Sequence, residues 1–253
     1  MADLVLGVFD GPIARLTLND PDRANVLSAA MMEALSEALG GATENESVRV
    51  IVLGAAGRIF CAGHDLGELS GGSNTGHAAL FAQCSALMQQ VVAARAPVIA
   101  RVQGAAVAAG CQLVASCDLA YAAEEAKFAV SGVNLGLFCS TPGVAVARSV
   151  GRKAALEMLL TGRMIDAARA AELGLINAAV PADRLDAVVD EAALAIAAKP
   201  PDAIALGKAA FRRQVEAPLA DAYEIASAAM VENLTFQSAQ DGIRSFLDRS
   251  KAS

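Results

Sequence analysis

From Leu4 to about Ala198, short runs of β-branched and large apolar residues alternate with stretches whose apolar positions recur every three or four residues. The short runs predict strands and the wider spacing predicts helices that turn one face to a core. Leu4–Phe9 and Ile13–Leu18 are joined through Asp10-Gly11-Pro12, which has the chemistry of a hairpin turn. Ser28 is placed to cap a helix carrying Met31, Met32, Leu35 and Leu39 on one side, with Gly40-Gly41 as its expected end. Val48–Leu53 and Val98–Val102 predict buried strands, Asp118–Ala122 and Lys127–Val130 shorter ones. His77–Ala94, Gly151–Gly162, Asp166–Leu173 and Leu185–Ala198 predict helices. Alternation at these lengths implies an α/β architecture. Pro200-Pro201 marks the best candidate boundary, dividing a core of residues 1–199 from a helical segment of residues 200–253. Asp202–Glu216, Leu219–Leu234 and Ser238–Arg249 supply its helices, whose apolar faces suit burial against another subunit.

Two stretches of small residues interrupt this pattern where chemistry is most easily placed. Ile59–Glu68 follows the Val48–Leu53 run, and Val102–Leu113 follows the Val98–Val102 run. Each reads as a strand passing into a helix. Two such junctions can aim two backbone N–H groups at one point, the geometry that holds a developing negative oxygen. Asp65, with Glu68 three residues on, also has the spacing of a helix-capping pair, a purely structural use. Ser70–Gly76 is a flexible loop by composition, either a cover for a pocket or a simple connection.

Charge and cysteine content narrow the field. The 253 residues carry 20 basic and 27 acidic side chains, a net charge of -7, with the basic residues scattered. Nucleic acid and anionic membrane are poor partners for such a surface. The uncharged windows Val102–Cys117 and Phe128–Ala147 are interrupted by Gly, Gln, Asn, Ser and Pro, so neither reads as a membrane span. Met1–Phe9 carries Asp3 and lacks the cationic start of a signal peptide. Cys61, Cys84, Cys111, Cys117 and Cys139 form no CxxC pair and are odd in number, which argues against a zinc site and a disulfide framework. They read as small buried thiols of a reducing compartment, and a cytoplasmic protein is expected.

Phe60-Cys61-Ala62-Gly63-His64-Asp65-Leu66, Gly104–Leu113, Lys127-Phe128, Leu135-Gly136, Pro142-Gly143 and Thr161-Gly162 with Ala167–Gly174 occur in an order and spacing that resembles the crotonase superfamily, the enoyl-CoA hydratase/isomerase family. The resemblance covers nearly the whole chain. Phe128–Pro142 and Met230–Leu234 look like one subgroup of it, the enoyl-CoA hydratase domain-containing protein 3 group. It implies a spiral of ββα units, a C-terminal helical trimerisation segment and a homotrimer or a hexamer built as a dimer of trimers. It also implies lyase or isomerase chemistry of fatty acid metabolism on an acyl-CoA thioester, with coenzyme A arriving as part of the substrate and no tightly bound cofactor or metal.

Carried over residue by residue, the resemblance places the oxyanion-hole amides at His64 and Ala109. Alanine at the second position keeps the N–H, and the hole survives if the local φ is negative. Arg23 matches a basic position near the CoA phosphates, and Ala24 and Val26 lie where the backbone meets the nucleotide. Ala62, Asp65, Leu66 and Gly110 flank the hole, Cys139 falls in the acyl-pocket segment with Asn134, Ser140 and Thr141, and Phe246 and Arg249 match an aromatic and basic pair that reaches the CoA of an adjacent subunit. A solvated surface charge is the plainer reading of Arg23 and Arg249.

The pattern breaks where hydratases of this family carry two glutamates that position and activate water. Those positions are Gln112 and Gly132. A glutamine amide can hold a water but takes no proton at ordinary pH, and glycine offers no side chain. Each positioned acid or base typically contributes on the order of 10²- to 10⁴-fold in rate, so weak or absent hydration is expected. Generation of an enolate without a protein base, as in decarboxylation of a malonyl-type thioester, fits the missing glutamates better; a non-catalytic acyl-CoA-binding subunit is the alternative. The His64 imidazole and His77, on a helix from which related dehalogenases draw a base, are lesser candidates, and Asp118 and Tyr121 read as structural.

Overall fold

The structure is a computed structural model that describes residues 3–251; Met1 and Ala2, the start of the N-terminal stretch considered above, lie outside the described residues. The chain opens with the hairpin β1 (Val5–Asp10) and β2 (Ile13–Leu18), followed by α1 (Ala29–Glu44). Three strand-strand-helix passages come next. The first is β3 (Val50–Ala55), β4 (Ile59–Cys61), α2 (Leu66–Ser70) and α3 (Asn74–Ala93). The second is β5 (Val98–Val102), β6 (Ala105–Val107) and α4 (Ala109–Ser116), and the third is β7 (Leu119–Ala123), β8 (Lys127–Ala129) and α5 (Ser140–Ser149). Then follow α6 (Arg152–Thr161), β9 (Ile165–Asp166), α7 (Ala167–Leu173), β10 (Ala178–Val180) and α8 (Leu185–Ala197). The chain ends in α9 (Pro201–Val215), α10 (Leu219–Asn233) and α11 (Gln237–Lys251).

Each passage gives its first strand to one sheet and its second to another. The larger sheet runs β1-β2-β3-β5-β7-β10 and the smaller β4-β6-β8-β9. The pairs β2/β3, β3/β5, β5/β7 and β7/β10 are parallel, as are β4/β6 and β6/β8; the hairpin β1/β2 and the pair β8/β9 are antiparallel. This is the expected spiral of ββα units, a structural repeat without a sequence repeat.

The continuous run of β3 is explained by burial on both faces, which parallel sheets require. Ile51 and Leu53 join the main core with Met31, Leu35, Leu87 and Val98, while Val50 and Val52 pack beneath α8 with Leu185 and Val189. The C-terminal helices differ. No residue of α9 or α10 is buried, and Phe211, Val215, Tyr223, Met230, Val231 and Phe246 stand exposed.

Several boundaries differ from expectation for physical reasons. Helix α1 runs through Gly40-Gly41 to Glu44, because Ala42 is buried in the core and tertiary packing outweighs the glycine penalty. Helix α3 begins at Asn74, where the Ser73 side chain accepts the Gly76 N–H at 3.1 Å, so half of the presumed loop is helix. Strand β3 is Val50–Ala55, shifted from Val48–Leu53. Helix α5 and strand β10 add to the predicted elements, and Pro200-Pro201 opens α9 with proline in its first turn.

Candidate active site

The parallel pairing of β4 and β6 sets their C-terminal ends side by side, and both small-residue junctions leave from those ends. After β4 the chain turns through Gly63 at φ 95°, a conformation open to glycine at little cost. A Cβ placed on Gly63 would stand 3.0 Å from Ala108 Cβ and 3.4 Å from the Ala109 nitrogen. The two junctions therefore touch. Gly110 is seated as tightly on Cys61, where an added Cβ would lie 2.2 Å from the Cys61 carbonyl oxygen.

Ala108 turns at φ 51° with its N–H bonded to Ala129 O at 2.8 Å, and α4 starts at Ala109, outside the positive-φ region. Among the described residues, neither the His64 nor the Ala109 backbone N–H donates to a protein acceptor. Ala109 opens an eight-residue helix, so its N–H is one of the donors a helix start leaves unused.

A polar loop wraps the first junction. Ala24 and Asn25 adopt left-handed φ of 55° and 52°. Leu27 N–H donates to Gly63 O at 2.8 Å and Ala62 N–H to Ala24 O at 3.1 Å, which brings Ala24, Val26 and Ala62 together. The buried Asn25 amide donates to Ala56 O and Ile59 O, both at 2.8 Å. Sequence reasoning passed over Asn25, although asparagine in a polar loop is a known occupant of left-handed turns. Arg23 is not merely solvated: its guanidinium pairs with the Asp65 carboxylate, and Asp20 lies 3.6 Å away.

Asp65 caps α2, accepting the Gly67 N–H at 2.8 Å. Glu68 does not complete a capping box; it accepts the Ala29 N–H at 3.0 Å at the start of α1. A carboxylate there satisfies an orphan donor and meets the helix dipole, so Glu68→Ala is expected to cost about 0.5–1 kcal/mol in chemical denaturation, while Glu68→Gln, which keeps an acceptor, should cost less.

The two histidines have settled surroundings. The His64 ring meets Phe81 edge-on, centroids 5.4 Å apart at 80°, and its Nε2 is buried without a partner among the described residues. Burial pushes the His64 pKa below its usual 6.5. The unfolded chain then binds the proton more readily, so the stability His64 contributes is present above about pH 6.5 and is lost as pH falls. Urea midpoints measured near pH 7.5 and pH 5.5 should fall more steeply for the unaltered protein than for His64→Gln. His77 Nε2 donates to Leu69 O at 2.9 Å and ties α3 to the end of α2, leaving that nitrogen unavailable as a base.

Gln112 lies one turn into α4, is 4% exposed, and its Oε1 has no hydrogen-bond partner among the described residues. Gly132 sits in a short 3-10 turn; its N–H donates to Cys139 Sγ at 3.2 Å, and a Cβ there would lie 2.3 Å from Leu137 O and 2.8 Å from that sulfur. Burial raises every thiol: Cys61 and Cys111 to about 12, Cys84 to about 11, and Cys117 and Cys139 upward, which disfavours thiolate chemistry. Asp118 accepts the Val98 N–H at 2.7 Å and is structural as expected. Leu66 is exposed on α2, and Phe246 and Arg249 lie on α11. Among the described residues no group of three or more His, Cys, Asp or Glu is arranged to hold a metal, and no helix is long and apolar enough to cross a membrane.

A family model for enoyl-CoA hydratase/isomerase matches residues 9–253. The chain belongs to that family. Enoyl-CoA hydratase domain-containing protein 3 of Rattus norvegicus is 44% identical over 240 residues, 94% of this chain and 80% of the relative. Among solved structures of the family, the human enoyl-CoA hydratase domain-containing protein 3 superposes with a TM-score of 0.95 at 42% identity, covering 97% of this chain and 98% of that one. An enoyl-CoA hydratase of Mycobacterium smegmatis does so with a TM-score of 0.95 at 50% identity, covering 97% and 96%. The rat, mouse, Xenopus laevis and human relatives all carry mitochondrial in their names, which contradicts the cytoplasmic expectation drawn from cysteine usage. Buried thiols with raised pKa values resist oxidation wherever the protein resides, so they carry no information about compartment.

Proposed function

We propose that this member of the enoyl-CoA hydratase/isomerase family binds an acyl-CoA thioester and stabilises its enolate between the His64 and Ala109 amides. The observation that carries the reading is the seating of Gly63 against the Ala109 nitrogen, with both amides lacking a protein acceptor. Two preorganised donors aimed at a developing oxyanion contribute roughly 10²- to 10³-fold each. Family membership supports the ligand class, since enoyl-CoA hydratases and isomerases act on CoA thioesters. In this reading Arg23, Ala24, Val26 and Ala62 hold the nucleotide end, Asp65 and Leu66 shape the first junction, and Gly110 and Cys139 border the acyl group. Phe246 and Arg249 reach a neighbouring subunit's CoA.

Gln112 and Gly132 replace the two carboxylates that hydration uses. A reaction needing no protein base suits this site: in a malonyl-type thioester the bond to the carboxylate breaks, carbon dioxide leaves, the electron pair enters the enolate held by the two amides, and solvent returns a proton to the α-carbon. No tightly bound cofactor is needed, and coenzyme A enters with the substrate. The second reading, an acyl-CoA-binding subunit without turnover, is favoured by the unpartnered Gln112 Oε1, an amide that can order a ligand but not accept a proton. Residues 1–199 form the catalytic core in this account. Residues 200–253 form the oligomerisation segment of a trimer or a hexamer, supported by the exposed apolar side chains of α9 and α10.

Purified protein assayed in parallel on crotonyl-CoA and on malonyl-type CoA thioesters tests the proposal. Decarboxylation with little hydration is expected. Vigorous hydration of crotonyl-CoA would overturn it, and binding without turnover of either would select the second reading.

A further inference from the structure

A cavity of about 1070 Å³ opens beside α4, and Gln112 belongs both to its lining and to the helix that Ala109 begins. Four helices wall it. On α3 the lining residues Ser85, Met88, Gln89 and Val92 recur at three- and four-residue intervals. On α5 Thr141, Val144, Ala145 and Arg148 do the same, and on α4 Gln112, Ala115 and Ser116 share a face. Small side chains, Ser85, Ala115 and Ala145 among them, leave the space between these helices open. Helix α9 borders the far side with Lys208, Phe211, Arg212 and Val215, of which Phe211 and Val215 remain exposed.

The chemistry changes along the cavity. Near Gln112 the walls are apolar or neutral, and below the last turn of α4 they become charged. Lys208 is neutralised by Asp118 at 2.5 Å and Arg148 by Glu216 at 2.7 Å. Among the described residues Arg212 donates to the Val92 carbonyl and pairs with no carboxylate. The lining thus holds four basic and two acidic side chains in a protein whose net charge is -7. From Gln112 to Asp118 the path follows α4 for roughly 9 Å, counting the helical rise per residue.

We infer that this cavity is the acyl-chain chamber and that it selects medium-length acyl-CoA thioesters whose far end carries a carboxylate, which pairs with Arg212. The inference rests on the thioester reading above, and Gln112, one turn beyond Ala109, is the residue that the cavity lining shares with that site. An apolar path ending in a cation binds a dicarboxylic monothioester better than its monocarboxylic counterpart, since a charge-assisted hydrogen bond forms only with the former.

Calorimetric titration of the full-length protein with acetyl-CoA, octanoyl-CoA and suberoyl-CoA tests it. Suberoyl-CoA is expected to bind roughly tenfold or more tighter than octanoyl-CoA. Arg212→Gln keeps a donor for Val92 O but loses the charge, and should bring suberoyl-CoA affinity down to that of octanoyl-CoA. Ala145→Leu should weaken both long chains and spare acetyl-CoA. Equal affinity for the two long chains, or a preference that survives Arg212→Gln, overturns the inference while acetyl-CoA binding keeps the thioester reading standing. Absence of binding by all three removes both. Sedimentation of the Ala145→Leu protein completes the test: a changed oligomeric state with unchanged ligand affinity would show that a second copy of the chain fills the chamber, and would also overturn it.

Discussion

Gly110→Ala should destabilise the protein by on the order of 3 kcal/mol or more, or prevent folding outright. The added Cβ would meet the Cys61 carbonyl oxygen at 2.2 Å and Cys61 Cβ at 2.8 Å. Neither neighbour can swing aside, because Cys61 ends β4 in register with Ala106 of β6 and is fully buried. Relief would require separating the strands that set the two junctions together. Gly207 provides the control: it lies in α9 with nothing within 4 Å of an added Cβ, so Gly207→Ala should raise stability by about 0.5–1 kcal/mol through helix propensity alone. Guanidinium denaturation of both variants separates close packing at the junction from a general intolerance of larger residues. Similar small shifts for the two would show that β4 and α4 are not held as tightly as described.

Crotonyl-CoA hydration should run at least about 10³-fold below that of a glutamate-bearing relative assayed alongside, if Gln112 and Gly132 stand, as proposed, where hydration uses two carboxylates. Installing both, as Gln112→Glu with Gly132→Glu, should not restore it. At position 112 the new carboxyl would be buried where, among the described residues, no donor reaches the Gln112 Oε1, so it would favour its protonated form and serve poorly as a base. At position 132 the obstacle is steric: a Cβ would lie 2.3 Å from Leu137 O, and the Leu137 N–H is itself bonded to Gly132 O at 3.0 Å. Removing the Cys139 sulfur relieves only the 2.8 Å contact and leaves the backbone collision. The double variant is therefore expected to lose stability without gaining hydration. Recovery of rates near those of the relative, in a variant that folds normally, would mean that the turn at Gly132 adapts freely.

Much of this arrangement could be read from the chain. Val48–Leu53 reads as a buried strand, and the run is continuous because parallel strands have no polar face, while the small residues of both junctions point to backbone N–H groups aimed at one place. What escaped was set by contacts distant in sequence. Arg23 meets Asp65, 42 positions away, and Glu68 serves α1 rather than its own helix. Gly40-Gly41 reads locally as a stop, yet Ala42 is wanted in the core and the helix continues. At Gly132 the family resemblance implies a missing acid; only the fold shows that the Leu137 carbonyl and the Cys139 thiol occupy the space a side chain would need.

The central claim is that the His64 and Ala109 amides grip a thioester oxygen. It is tested most directly by the infrared carbonyl stretch of an acyl-CoA labelled with carbon-13 at the thioester, recorded free and bound. Two hydrogen bonds to that oxygen polarise the bond, so a shift to lower wavenumber on binding is predicted. A bound thioester whose carbonyl stretch matches that of the free ligand in water, or lies above it, would contradict the account.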